Sequence, residues 1–108
     1  MSDISRQSLE ARLDAYDHES ITVSNSAVTL DLTKAQPDAP ARNAERVVID
    51  IETDQIRYTY DGGTTPTSSV GHLAGPGDRI VMNGYGNIRR LKMIRVTTDA
   101  TIKVTYER

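Results

Sequence analysis

Apolar residues recur with a period of two over most of the chain. From Ile21 onward, Val28, Leu30 and Leu32 alternate with Thr29 and Asp31, while Val47, Ile49 and Ile51 alternate with Val48 and Asp50. Successive side chains of a β-strand point to opposite faces, so each run reads as a half-buried strand. Ile56, Tyr58 and Tyr60 repeat the pattern, and the short Thr53-Asp54 link predicts a tight hairpin with the strand before it. Further strands are expected at Arg79 to Asn83, near Ile88 to Val96, and at Thr101 to Tyr106.

So many short strands predict a mainly β fold, an antiparallel β-sandwich of jelly-roll or immunoglobulin-like type. Two segments break the alternation. Between Asp3 and Tyr16, Leu9, Leu13 and Tyr16 stand at i, i+4, i+7 with Ser2 or Asp3 available as N-cap. This predicts a short N-terminal helix with one narrow apolar stripe, an arm over residues 1–18 ahead of a β body over 19–108. A helix of that length is marginal alone, so its stripe must dock on the body or on a neighbour. In the second segment Leu91 and Met93 have one parity and Ile88, Ile94 and Val96 the other, which predicts a β-bulge near Met93. Two long loops are expected: Thr33 to Ala44, and Asp61 to Asp78, which holds five of the seven Gly and two of the four Pro.

Composition narrows the function. The 108 residues suit one domain. With no Cys, disulfide frameworks, thiol nucleophiles and Cys-based metal sites are excluded. A net charge of -2 provides no long-range field for nucleic acid or an acidic membrane. The polar N-terminal segment does not resemble a signal peptide and no apolar run reaches bilayer length, so a soluble protein is expected. Phe and Trp are absent, which leaves aliphatic residues and five Tyr to form the core.

Candidate chemistry is sparse. The two histidines, His18 and His72, stand in no recognisable nucleophile-base signature and read as surface or loop-packing residues. Asp50, Glu52 and Asp54 alternate as ligands of a hard cation would, but so does any solvated strand face, and six converging oxygens are not in view. The loop from Gly71 to Gly77 matches neither the P-loop nor the dinucleotide pattern. Arg89, Arg90, Lys92 and Arg95 form a basic cluster without the interleaved aromatics that stack bases, so it reads as a solvated face paired with acids such as Asp50 and Glu52. No catalytic residue, cofactor or metal ligand is assigned.

The stretch Ile56-Arg-Tyr-Thr-Tyr-Asp-Gly-Gly-Thr-Thr-Pro-Thr67, with Val70-Gly-His-Leu73, Gly77-Asp78, Gly84-Tyr85, Asn87-Ile88, Ile94-Arg95 and Val104-Thr-Tyr-Glu107, resembles small virion proteins of tailed bacteriophages. It covers the C-terminal half. The resemblance implies a non-enzymatic virion component made in the bacterial host cytoplasm, of the capsid decoration or cement type. Its partners would be the major capsid protein or other virion proteins, with no nucleic acid and no membrane. A carbohydrate- or receptor-binding accessory module of head or tail is the alternative. The same hairpin also resembles immunoglobulin-like modules attached to chitin-degrading enzymes, from which the extra Gly and extra Thr depart. Candidate partner-binding residues are Leu9, Leu13 and Tyr16 on the arm, Tyr85 as an exposed ring, and Arg89, Arg90 and Lys92. Exposed sheet edges predict that the isolated chain self-associates as a small symmetric oligomer.

Overall fold

The computed structural model of the chain describes residues 13–37 and 43–108. In chain order they form β1 (Ala15–Val23), β2 (Val28–Thr29), α1 (Leu32–Ala35), β3 (Arg46–Ile51), β4 (Ile56–Thr59), β5 (His72–Ala74), β6 (Arg79–Asn83), α2 (Tyr85–Arg90), β7 (Lys92–Arg95) and β8 (Ala100–Glu107). The fold is mainly β. Two four-stranded antiparallel sheets have the orders β1-β8-β3-β6 and β2-β7-β4-β5.

Alternation along the strands decides what each sheet buries. In the first sheet Val47, Ile49 and Ile51 of β3, Ile102, Val104 and Tyr106 of β8, and Ile80 and Met82 of β6 are buried, while Val48, Asp50, Lys103 and Val81 face outward. The second sheet adds Ile56, Ala74 and Met93 to the same apolar cluster. Val23, Leu30, Ala35, Ala44, Ile88, Leu91 and Ala100 complete it.

The hairpin expected at Thr53-Asp54 is a crossover between sheets. β3 is an inner strand whose edges are already taken by β8 and β6, so β4 has no edge of it to join. The link instead turns a corner. Glu52 N–H donates to Thr101 O at 3.0 Å and Thr101 N–H to Thr53 Oγ1 at 2.8 Å, holding the link to the first sheet. Asp54 Oδ1 then accepts from Gln55 N–H at 2.8 Å, and Val96 N–H donates to Gln55 O in the second sheet.

The bulge near Met93 does not form either. β7 pairs with β4 without a break, and the phase is corrected before it begins. Gly84, at φ 91, opens a turn into α2, which places Ile88 one helical turn before Leu91 so that both reach the core. Leu32 likewise leaves the strand pattern: Asp31 caps α1 through Thr33 N–H, and Leu32 in its first turn is exposed.

At the N-terminal side, Ala15 to His18 belong to β1 and not to a helix, so the segment assigned to the arm continues into the first sheet. β8 pairs with eight of the nine residues of β1, Tyr16 falling in a register shift, and this ladder outweighs a marginal helix. Residues 1–12, with Leu9 among them, lie outside the described residues, and the part of the helix expected there with them.

Fully buried Tyr106 donates a hydrogen bond to the Glu19 carboxylate, which also accepts from Asp31 N–H at 3.1 Å. Burial first, then this hydrogen bond, holds the Tyr106 phenol far above its ordinary value of 10.0. Replacing Tyr106 with Phe removes one donor from a half-buried carboxylate and should cost about 1–3 kcal/mol in urea melts. A raised native value means that the unfolded chain loses the phenolic proton first. This contribution to stability is therefore intact below about pH 10 and declines by about 1.4 kcal/mol per pH unit above it. Melts between about pH 9 and 11 should show a shallower decline in Tyr106→Phe.

Candidate functional site

At the end of the second sheet, where β4 runs out and β5 begins, an open cavity of about 600 Å³ lies beneath α2. Its floor is aromatic. Tyr58 and Tyr60 follow each other on one parity of β4 and its extension, and β5 pairs His72 beside Tyr58. Ring centroids stand 6.3 Å apart for Tyr58 and Tyr60, 5.3 Å for Tyr58 and His72, and 5.8 Å for Tyr60 and His72, the last pair inclined by 27°. Tyr58 packs on the core, and its phenol is pushed above the ordinary value by burial and then by the Tyr60 phenol. Tyr60 overhangs the end of the strand and is 39% exposed.

The loop that closes the cavity is held by its own hydrogen bonds. Asp61 accepts from Gly63 N–H, Thr64 N–H and Thr64 Oγ1, and the Thr64 hydroxyl bond, followed by the Thr64 amide, holds its carboxyl below the ordinary range. Thr59 Oγ1 donates to Thr64 O at 2.6 Å. Further along, Arg57 donates to Ser68 O at 3.1 Å and to Gly71 O at 3.0 Å, which pins the wall formed by Val70 and Gly71.

Two glycines are required by this geometry. Gly71 has φ 120, and a Cβ there would stand 3.0 Å from Tyr58 O. Gly62, the strained member of the Gly62-Gly63 pair at φ 82, leaves room for the Arg90 stem, whose Cδ would lie 3.3 Å from an added Cβ. Arg90 and Asn87 thus hang from α2 over the aromatic floor. Asn87 Nδ2 donates to Asn83 O at 2.9 Å.

Of the residues singled out from the sequence, Arg90 alone lines this cavity. Tyr85 starts α2 and its hydroxyl donates to Gln36 Oε1 at 3.1 Å, beside a second depression formed with Asn43, Glu45 and Gly84. Arg89 is exposed on α2 and Lys92 half-buried on β7, so the basic residues do not share the single strand expected of them. Their expected acidic partners are engaged elsewhere: Asp50 pairs with Arg79 at 2.8 Å and Glu52 with Lys103 at 3.8 Å, while Arg95 pairs with Asp99. Among the described residues Arg89, Arg90 and Lys92 have no ion pair. Tyr16 serves the fold, donating to Lys34 O at 2.6 Å beneath the Arg108 guanidinium, and Leu13, three residues before it, is half-buried.

Alternation had assigned Tyr58 and Tyr60 to a strand face, and His72 to loop packing. The available signal was Tyr60 itself, the last inward-facing residue before Asp-Gly-Gly, beyond the reach of the sheet. No family model, curated protein or solved structure matches this chain.

Gly71→Ala should destabilise the fold by about 1–3 kcal/mol, since it adds left-handed strain and a backbone clash. Gly63→Ala, with nothing within 4 Å of the new atom and an ordinary φ, should lie within about 0.5 kcal/mol of the parent in the same urea melts.

Proposed function

We propose that this chain is a non-enzymatic structural protein of a tailed-phage virion, of the capsid decoration or cement type, which binds the shell of the major capsid protein. In this reading the two sheets form a β-sandwich of jelly-roll or immunoglobulin-like kind. The observation that carries it is the outer face of the first sheet. Across β1, β8, β3 and β6 the register brings His18, Thr105, Val48 and Val81 into one row, and Val81 is 49% exposed. The neighbouring row holds Ser20, Lys103, Asp50 and Arg79, joined by exposed hydrogen bonds and ion pairs.

Such a face suits attachment to a broad surface. Small β-branched and hydroxyl side chains lose little entropy when covered, and the flanking charges contribute more to orientation than to affinity. Many copies on one shell would compensate for a weak individual contact. Shell binding makes the virion the site of action. The sheet edges at β1, β6, β2 and β5 favour self-association as a small oligomer.

Shells stripped of accessory proteins should recover full occupancy with the parent chain, measured by electron microscopy. The double variant Val81→Asp/Thr105→Glu should lose at least about tenfold in occupancy-derived affinity with its melting temperature nearly unchanged. Equal occupancy by the variant would refute this attachment face, and failure of the parent to bind any shell would refute the decoration role.

A second reading, a carbohydrate- or receptor-binding accessory module, is favoured by a different observation. The cavity under α2 combines exposed ring faces with a few polar groups, the usual composition of a small-ligand site, and its volume lies within the common range.

A further inference from the structure

Arg90 lines the cavity and has no counter-ion among the described residues, although Asp61 belongs to the same wall. Asp61 is occupied: its oxygens already accept two backbone N–H groups and the Thr64 hydroxyl. The Arg90 stem is seated over Gly62, so the guanidinium is carried on a partly fixed chain. A guanidinium in a walled site most favourably meets a planar carboxylate, through two parallel hydrogen bonds.

The remaining contacts describe the rest of the ligand. Tyr60 and His72 contribute two stacked rings to the cavity lining, inclined by 27° with centroids 5.8 Å apart. The apolar C–H face of a sugar stacks on such a surface while its hydroxyls face outward. Asn87 has its amide nitrogen committed to Asn83 O, which leaves Oδ1 to accept from a hydroxyl. A phosphate dianion fits less well, because one cation stands opposite it and Asp61 would repel its second charge.

We infer that this cavity binds an acidic saccharide, with a pyranose ring over Tyr60 and His72 and its carboxylate on Arg90. The inference rests on the carbohydrate-binding reading and is independent of attachment through the outer face of the first sheet.

Titrating the isotopically labelled full chain with the galacturonic acid tetramer, followed by amide NMR, tests it. Shifts should centre on Tyr60, Gly71, His72, Asn87 and Arg90, and the acid tetramer should bind at least about tenfold more tightly than the neutral galactose tetramer. Arg90→Gln, at an exposed position, should abolish that preference. Tyr60→Leu should weaken both ligands, with an unaltered melting curve as the control for folding. Equal binding of both tetramers, or an unaffected preference in Arg90→Gln, would overturn the acidic ligand and leave the carbohydrate reading standing. If neither tetramer perturbs the cavity amides, or if adenosine monophosphate binds there in preference, both are wrong.

Discussion

The rest of the structure depends on how one polar group is accommodated inside the core. Tyr106 is wholly buried near the end of β8, and a phenol hydroxyl cannot stay there without an acceptor. Glu19 of β1 supplies it, and the same carboxylate accepts the Asp31 amide at the entrance to α1. Three segments distant in sequence are thereby fixed to each other: β8, its edge partner β1, and the chain that leaves β2. Tyr16 extends the arrangement, with its ring 6.3 Å from that of Tyr106 and its hydroxyl on Lys34 O. Hydrogen bonds of this kind are directional, so they select a register where apolar contacts alone would tolerate a slip.

With β1, β8 and β3 fixed, the course of the chain follows from which edges are occupied. β3 is bonded on both sides, so the chain after Ile51 has to change sheets, and the hydrogen bonds at Thr53 and Gln55 show it doing so within four residues. The chain therefore enters the second sheet again at Ile56, and the inner face of that sheet adds Ile56 and Met93 to the shared core. Beyond Thr59 the sheet ends but the alternation does not. Tyr60 carries an inward-directed ring past the last ladder bond, where no core remains to cover it, and the cavity under α2 is the consequence.

The same logic separates two surfaces of different shape. The outer face of the first sheet is broad, regular and edged with ion pairs, and its side chains neither converge nor enclose a volume. The cavity is concave and local, and its polar groups converge from a turn, a short helix and an edge strand. In the proposed reading a large partner would use the former and a small ligand the latter.

Strand existence was legible in the sequence because a buried face imposes its period of two on every segment that lines it; β3, β6 and β8 stand where alternation placed them. The break in the strand at Asp61 was legible for a similar local reason, since the loop that follows is rich in Gly and Gly62 adopts a backbone that only glycine takes without strain. Partner choice was not legible. Whether Thr53-Asp54 closes a hairpin or crosses between sheets depends on the edges of β3, which distant strands occupy. Tyr16 fits a helical spacing with Leu9 and Leu13, yet it lies in β1, which pairs with β8 on either side of it. Ile88 and Leu91 read as a strand out of phase because helical and extended spacings agree over so short an apolar run. The cavity was hidden for the same reason: Tyr60, His72 and Arg90 come from three segments, and the sequence by itself determined their chemistry while tertiary pairing alone decided that they meet.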